Sequence, residues 1–221
     1  MPLEKILDTV MQNASIHAKW LNTLSMMEHI GAVKITRRQG GQNAGLLVLK
    51  HAAEESRHAF FLKKLSDRIA PGFCPDYSAG SLIAAVFSKQ YLNRLDVSVS
   101  RFVREVNPDR KHFSLLCYVL VTWAIEVRAG ELYPAYQEKL KTANAGISMQ
   151  SIIAEEEGHL KEMEEMMNIF PFDMGEWKQK VLALECDLYR DWLNAVATAL
   201  TEFHVANPAE NGPHHSLSKT K

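Results

Sequence analysis

The 221-residue chain is predicted to be all-α, a four-helix bundle with two additional helices. Two observations predict it. Apolar residues recur at helical period through every long segment, and no segment alternates with period two for long enough to make a strand. Glycine and proline are sparse and fall in clusters between those segments, where they end helices rather than interrupt them.

The first helix is expected from about Leu3 to Arg38, closed by Gly40-Gly41, and the second from about Ala44 to Ile69, stopped by Pro71-Gly72. The loop 71–79 leads into a third helix from Gly80 to about Val106, ending before Pro108. Asp109 is a candidate cap for a long fourth helix reaching about Thr142. After a turn at 143–147, Ser148 starts a fifth helix that stops at Pro171, and a sixth runs from about Gly175 to Val205. Residues 1–205 read as a single domain and 206–221 as a polar, disordered tail. The tail's His214-His215 has no expected part in a core site.

Composition excludes several function classes. With 25 Lys and Arg against 26 Asp and Glu, there is no basic field to favour nucleic acid or anionic lipid. The apolar run 115–127 is short for a bilayer and carries Glu126, so no membrane partner is expected. The first residues lack a basic segment followed by an apolar one, which argues against a signal peptide. Three widely spaced cysteines, 74, 117 and 186, form neither a disulfide framework nor a thiolate metal site, and the expected location is the cytoplasm.

The chemistry lies in a repeated motif. Residues 53–58 and 154–159 both read A-E-E-x-x-H. Residues three apart share a helix face, so the second glutamate and the histidine of each copy can grip one metal. The apolar stripe Val48, Ala52, Glu55, Ala59, Leu62 turns Glu55 and His58 inward, and the stripe Met149, Ile152, Glu156, Met163 does the same for Glu156 and His159. Glu54, Glu155 and Glu157 are expected to be solvated. The preceding helices add Glu28, on the stripe His17, Leu21, Leu24, and Glu126, the one charge in its apolar run. Glu28 precedes Glu55 by 27 residues and Glu126 precedes Glu156 by 30, so two helical hairpins carry the same order. Four carboxylates buried together cannot all ionise unless cations are present. Two divalent ions balance them, and oxygen-rich sites with some nitrogen suit iron or manganese.

This set of residues resembles the ferritin-like di-metal carboxylate superfamily, in which one Glu from each of two helices and a Glu-x-x-His from each of two others hold the metals. The resemblance implies that Glu55 and Glu156 bridge, Glu28 and Glu126 are terminal, and His58 and His159 supply one nitrogen to each metal. It implies two iron ions, with manganese or a mixed pair as variants. The motif segments look closer to the oxidase and oxygenase branches than to ferritins or rubrerythrins. The expected function is therefore O2-dependent oxidation of a small apolar substrate, with an electron donor and a monomeric or dimeric state. The alternatives are a ferroxidase without an organic substrate and a protein that keeps metals for stability. An apolar pocket beside the metals would favour the first.

Other residues carry lesser expectations. Tyr118, Tyr133 and Tyr136 share the helix of Glu126, and their default role is packing, as it is for Trp20 and Trp123. His17, His29 and His51 are expected to be structural. Asp96, Asp187 and Asp191 are candidates to orient the metal-binding histidines. Met163, Met166 and Met167 read as core, with a pocket wall as the minority role, and the stretch 34–38 as a solvated helix end. The apolar rows Leu82, Val86, Leu92, Val99, Phe102 and Trp177, Val181, Leu184, Leu188, Trp192 are expected to fold the extra helices onto the bundle.

Overall fold

The computed structural model describes residues 1–39, 45–107 and 112–206. Among them are seven α-helices: α1 Leu3–Met11, α2 Ala14–Gln39, α3 Leu46–Ile69, α4 Ala85–Val106, α5 Phe113–Thr142, α6 Gln150–Met167 and α7 Gly175–Ala206. A 3₁₀ turn, Ala79–Ser81, precedes α4. The fold is all-α, a helical core consistent with a four-helix bundle carrying extra helices. The expected Asp109 cap and the tail 207–221 lie outside the described residues.

Two of the sequence-derived helices differ, each for a local reason. The first expected helix is two, broken at Gln12-Asn13. Asn13 accepts the backbone N–H of Ile16 at 3.0 Å, the geometry of an N-cap, so the polar residue that looked like one more helical position opens a new helix. The third begins at Ala85 rather than Gly80, because α2 side chains hold the preceding backbone. Asn22 donates to the carbonyls of Asp76 (2.9 Å) and Ser81 (2.8 Å), and Thr23 Oγ1 accepts from Ile83 N–H at 2.9 Å. Ala84 then takes a left-handed φ of 46° at the helix entrance.

The packing follows the duplicated order in the sequence. α2 lies along α3 and α5 along α6, giving two hairpins that face each other. α4 packs on α7, α5 and α2, while α1 covers α5, α2 and α7. The extra helices thus fold back on the bundle through Leu92, Val99, Val181, Leu188 and Trp192, all buried. Val86 departs from the expected row: it is 64% exposed. Trp20 and Trp123 are core residues, as are Met163 and Met167.

By length and composition α5 is apolar enough to cross a membrane, with an 18-residue stretch of mean hydropathy 1.4. The central helix of a bundle meets the same test, and half of that stretch is buried here. α5 also continues through Pro134.

Candidate metal centre

The inward faces of the two hairpins bring all six sequence-derived residues together at mid-bundle. Glu28, Glu55, His58 and Glu156 form one group able to hold a metal ion, and Glu55, Glu126, Glu156 and His159 form another. Within each group one ligand atom per residue lies within 4.8 Å of all the others. Glu55 and Glu156 belong to both groups. Glu126, Glu156, His58 and His159 are almost wholly buried, while Glu28 is only partly so. This buried Glu/His cluster is consistent with a ferritin-like di-metal carboxylate site.

The histidines settle whether a cation fits. Each turns Nδ1 towards the carboxylates and Nε2 away. His159 Nδ1 stands 3.1 Å from Glu156, 3.6 Å from Glu55 and 3.6 Å from Glu126. His58 Nδ1 lies 3.2 Å from Glu156 Oε1 at an angle that makes no hydrogen bond, leaving a buried polar atom without a hydrogen-bond partner. A histidine nitrogen grouped with three carboxylates is what a divalent cation satisfies, and an orphaned buried nitrogen otherwise costs stability.

The outward nitrogens reveal residues that sequence reasoning misplaced. Glu54 accepts from His159 Nε2 at 2.8 Å, and Glu155 accepts from His58 Nε2 at 2.8 Å. The first glutamate of each motif thus crosses to the histidine of the other. The expectation that Glu54 and Glu155 are merely solvated is corrected: both are partly covered and fix the histidine orientation, a role carboxylates commonly fill at metal sites. The expected candidates for that role are engaged elsewhere, Asp96 with Lys34, Asp191 with Arg94 and Asp187 with Arg190. The signal was available, since the first glutamate is duplicated along with the rest of the motif. Helix-face geometry pointed away because each glutamate acts across the hairpin interface rather than within its own helix. Glu157, without such a partner across the interface, is exposed.

A further ring of contacts surrounds the cluster. Tyr133 donates its hydroxyl to Glu28, so it is more than packing. His51 joins Tyr118 (3.0 Å) to Glu162 (2.6 Å), and Arg57 adds a second cation against Glu155. His17 pairs with Tyr136, and His29 lies against the Tyr77 ring. Neither belongs to a metal-capable group among the described residues.

The electrostatics are those of four carboxylates buried together. Burial, then the charge of Glu156, pushes the Glu55 and Glu126 carboxyls well above the ordinary range. Burial also raises Glu28, against the hydrogen bond from Glu55. Burial works the same way on Glu156, but His159 and His58 outweigh it and hold that carboxyl below its usual range. Desolvation would lower His159, yet Glu126 and Glu156 overcome it and push its pKa up to about 11. Two divalent ions would supply the positive charge that four carboxylates buried together require.

Beyond the carboxylates, on the side away from the histidines, lies a cavity of about 420 Å³ between α2, α4 and α5. Glu28, Glu55 and Glu126 form part of its wall, and Leu24, Ile35, Leu92, Val121 and Ile125 supply apolar surface. Met27 lines it; the methionines of α6 do not. The α4 wall could not be foreseen, because nothing in its sequence says which neighbour it packs against. No protein-family model, curated protein or solved structure matches the chain.

Proposed function

We propose that this protein is a di-iron oxidoreductase that uses O2 to oxidise or oxygenate a small, largely apolar organic substrate. Glu28, Glu55, Glu126, Glu156, His58 and His159 would hold the two metals, with Glu55 and Glu156 between them; manganese or a mixed pair fits the same donors. When bound, such a pair supplies the redox equivalents and the open coordination positions for O2.

The observation that carries this reading is the cavity. Its volume falls in the range of small-molecule sites, its walls are mainly apolar, and three of the six candidate ligands reach its surface. An iron-handling protein without an organic substrate has no use for an apolar chamber against its metals. The chain's residues divide the remaining work. The apolar walls exclude water and hold the substrate near the carboxylate side, while the cross-paired Glu54 and Glu155 keep both imidazoles aimed at the metals. Tyr133, donating to Glu28, holds a proton at the edge of the centre. An external electron donor, a cytoplasmic location and a monomeric or dimeric state complete the proposal.

The test is elemental analysis of the protein followed by rapid mixing of its Fe(II) form with O2. Two irons per chain and O2 uptake that continues only with an organic substrate and reductant are expected. Continued oxidation of added Fe(II), or accumulation of hundreds of irons per particle, would place the protein with ferroxidases and iron stores instead.

A further inference from the structure

The cavity wall contributed by α2 has an unusual composition. Glu28, Gly31, Lys34 and Arg37 succeed one another along it. A glycine within a helix costs about 1 kcal/mol relative to alanine. At Gly31 a Cβ would stand 3.6 Å from Glu55 Oε2, directly beside the candidate metal centre. The missing side chain leaves room for a ligand where the cavity meets the carboxylates.

The other end is cationic. Lys34 pairs with Asp96 at 2.8 Å, both partly exposed. Arg37 is exposed and has no ion-pair partner among the described residues. Arg128, also in the wall, is neutralised by Glu185 and Glu131. The uncompensated charge at the mouth is therefore positive. At 1.5 Å per residue, Lys34 and Arg37 lie roughly 9 and 14 Å along the helix axis from Glu28.

On the reading of the centre as an oxidoreductase site, we infer that its substrate is a carboxylate-headed amphiphile. The head is held at Arg37, and an apolar chain or ring system of about eight carbons lies along α2 with its far end against Gly31. Gly31 then determines specificity by setting how closely the chain approaches the metals.

Calorimetric titration of the metal-loaded protein with octanoate, 1-octanol and octylamine tests this. Octanoate should bind at least tenfold more tightly than octylamine. Arg37→Gln, at an exposed position, should bring that ratio to within about threefold of unity. Gly31→Leu, and independently Ala129→Leu on the opposite wall, should weaken all three probes at least tenfold with two metals still bound. Gly31→Ala should weaken them less. Equal binding of octanoate and octylamine to the unaltered protein would overturn the inference. So would a preference that survives Arg37→Gln, which would mean the carboxylate is held by the metals. Failure of the protein to bind two metals, with the octanoate preference intact in metal-free protein, would sink the oxidoreductase reading alone. Two metals and substrate-dependent O2 uptake without a head-group preference would sink this inference alone.

Discussion

The two hairpins carry the same motif and are not equivalent. In α5–α6, Glu126 and Glu156 are each 3% exposed and His159 Nδ1 sits within 3.6 Å of three carboxylates. In α2–α3, Glu28 is partly open to the cavity, takes a hydrogen bond from Tyr133, and His58 Nδ1 has no hydrogen-bond partner. Both hairpins reach the cavity, through Glu28 and Glu55 on one and Glu126 on the other, but the α2–α3 half is the looser and meets it at Gly31. A duplicated motif thus yields a centre with a denser half and a looser half, because what surrounds the motif differs.

Substitutions should separate the shared residues from those of one half. Glu55→Ala and Glu156→Ala remove carboxylates common to both groups and should abolish stoichiometric metal binding, from two ions per chain to none by elemental analysis. Glu28→Ala and Glu126→Ala should each leave one ion bound, the first weakening the His58 half and the second the His159 half. Loss of both ions from either would show that the halves do not fill independently.

A smaller effect probes the crossing between hairpins. Glu54→Ala should lower metal affinity about 10- to 100-fold, as loss of a carboxylate that orients a ligand does, and the weakened ion should be the one at His159, on the other hairpin. Glu155→Ala should act on the His58 half. Cobalt(II) absorption resolves the two steps, and unchanged affinity in both variants would restore the picture of solvated glutamates.

The metal-free protein should also respond to pH. His58 and His159 are raised from 6.5, so above that value the folded state binds protons that the unfolded chain releases, and the raised Glu55, Glu126 and Glu28 act in the same direction above their ordinary value of 4.5. Stability therefore falls as pH rises towards the folded-state value of His159, about 11. His51, shifted down mainly by burial, has the opposite slope, confined to the region at and below its ordinary value of 6.5. The melting temperature of the metal-free protein should drop between pH 7 and 9, and two equivalents of Mn(II) should flatten that dependence. A flat profile without metal would show that the cluster relaxes apart.

The smallest expected effect lies outside the centre. Asn13→Ala removes the cap of α2 and should cost about 1 kcal/mol in chemical denaturation with metal stoichiometry unchanged.

Much of this molecule was legible along the chain because the relevant physics is local. Helical period and the rarity of Gly and Pro determined the all-α class. Spacing by three within a helix put Glu55 beside His58 and Glu156 beside His159, and the apolar stripes turned them inward. The apolar stripe and the apolar run placed Glu28 and Glu126 on the core side too, and burying four carboxylates together then called for cations. What only the tertiary structure decided are contacts between elements whose relative placement no periodicity encodes. Asn13 reads as a helical residue until its side chain is seen to cap the next helix. Glu54 and Glu155 read as solvated until the opposing hairpin brings a histidine to each. The cavity exists because α4 closes against α2 and α5, and Gly31 gains its meaning from a carboxylate on another helix. Intrahelical geometry follows from the covalent chain; interhelical geometry follows from how side chains fill the shared core, and that is settled only when all the helices are present together.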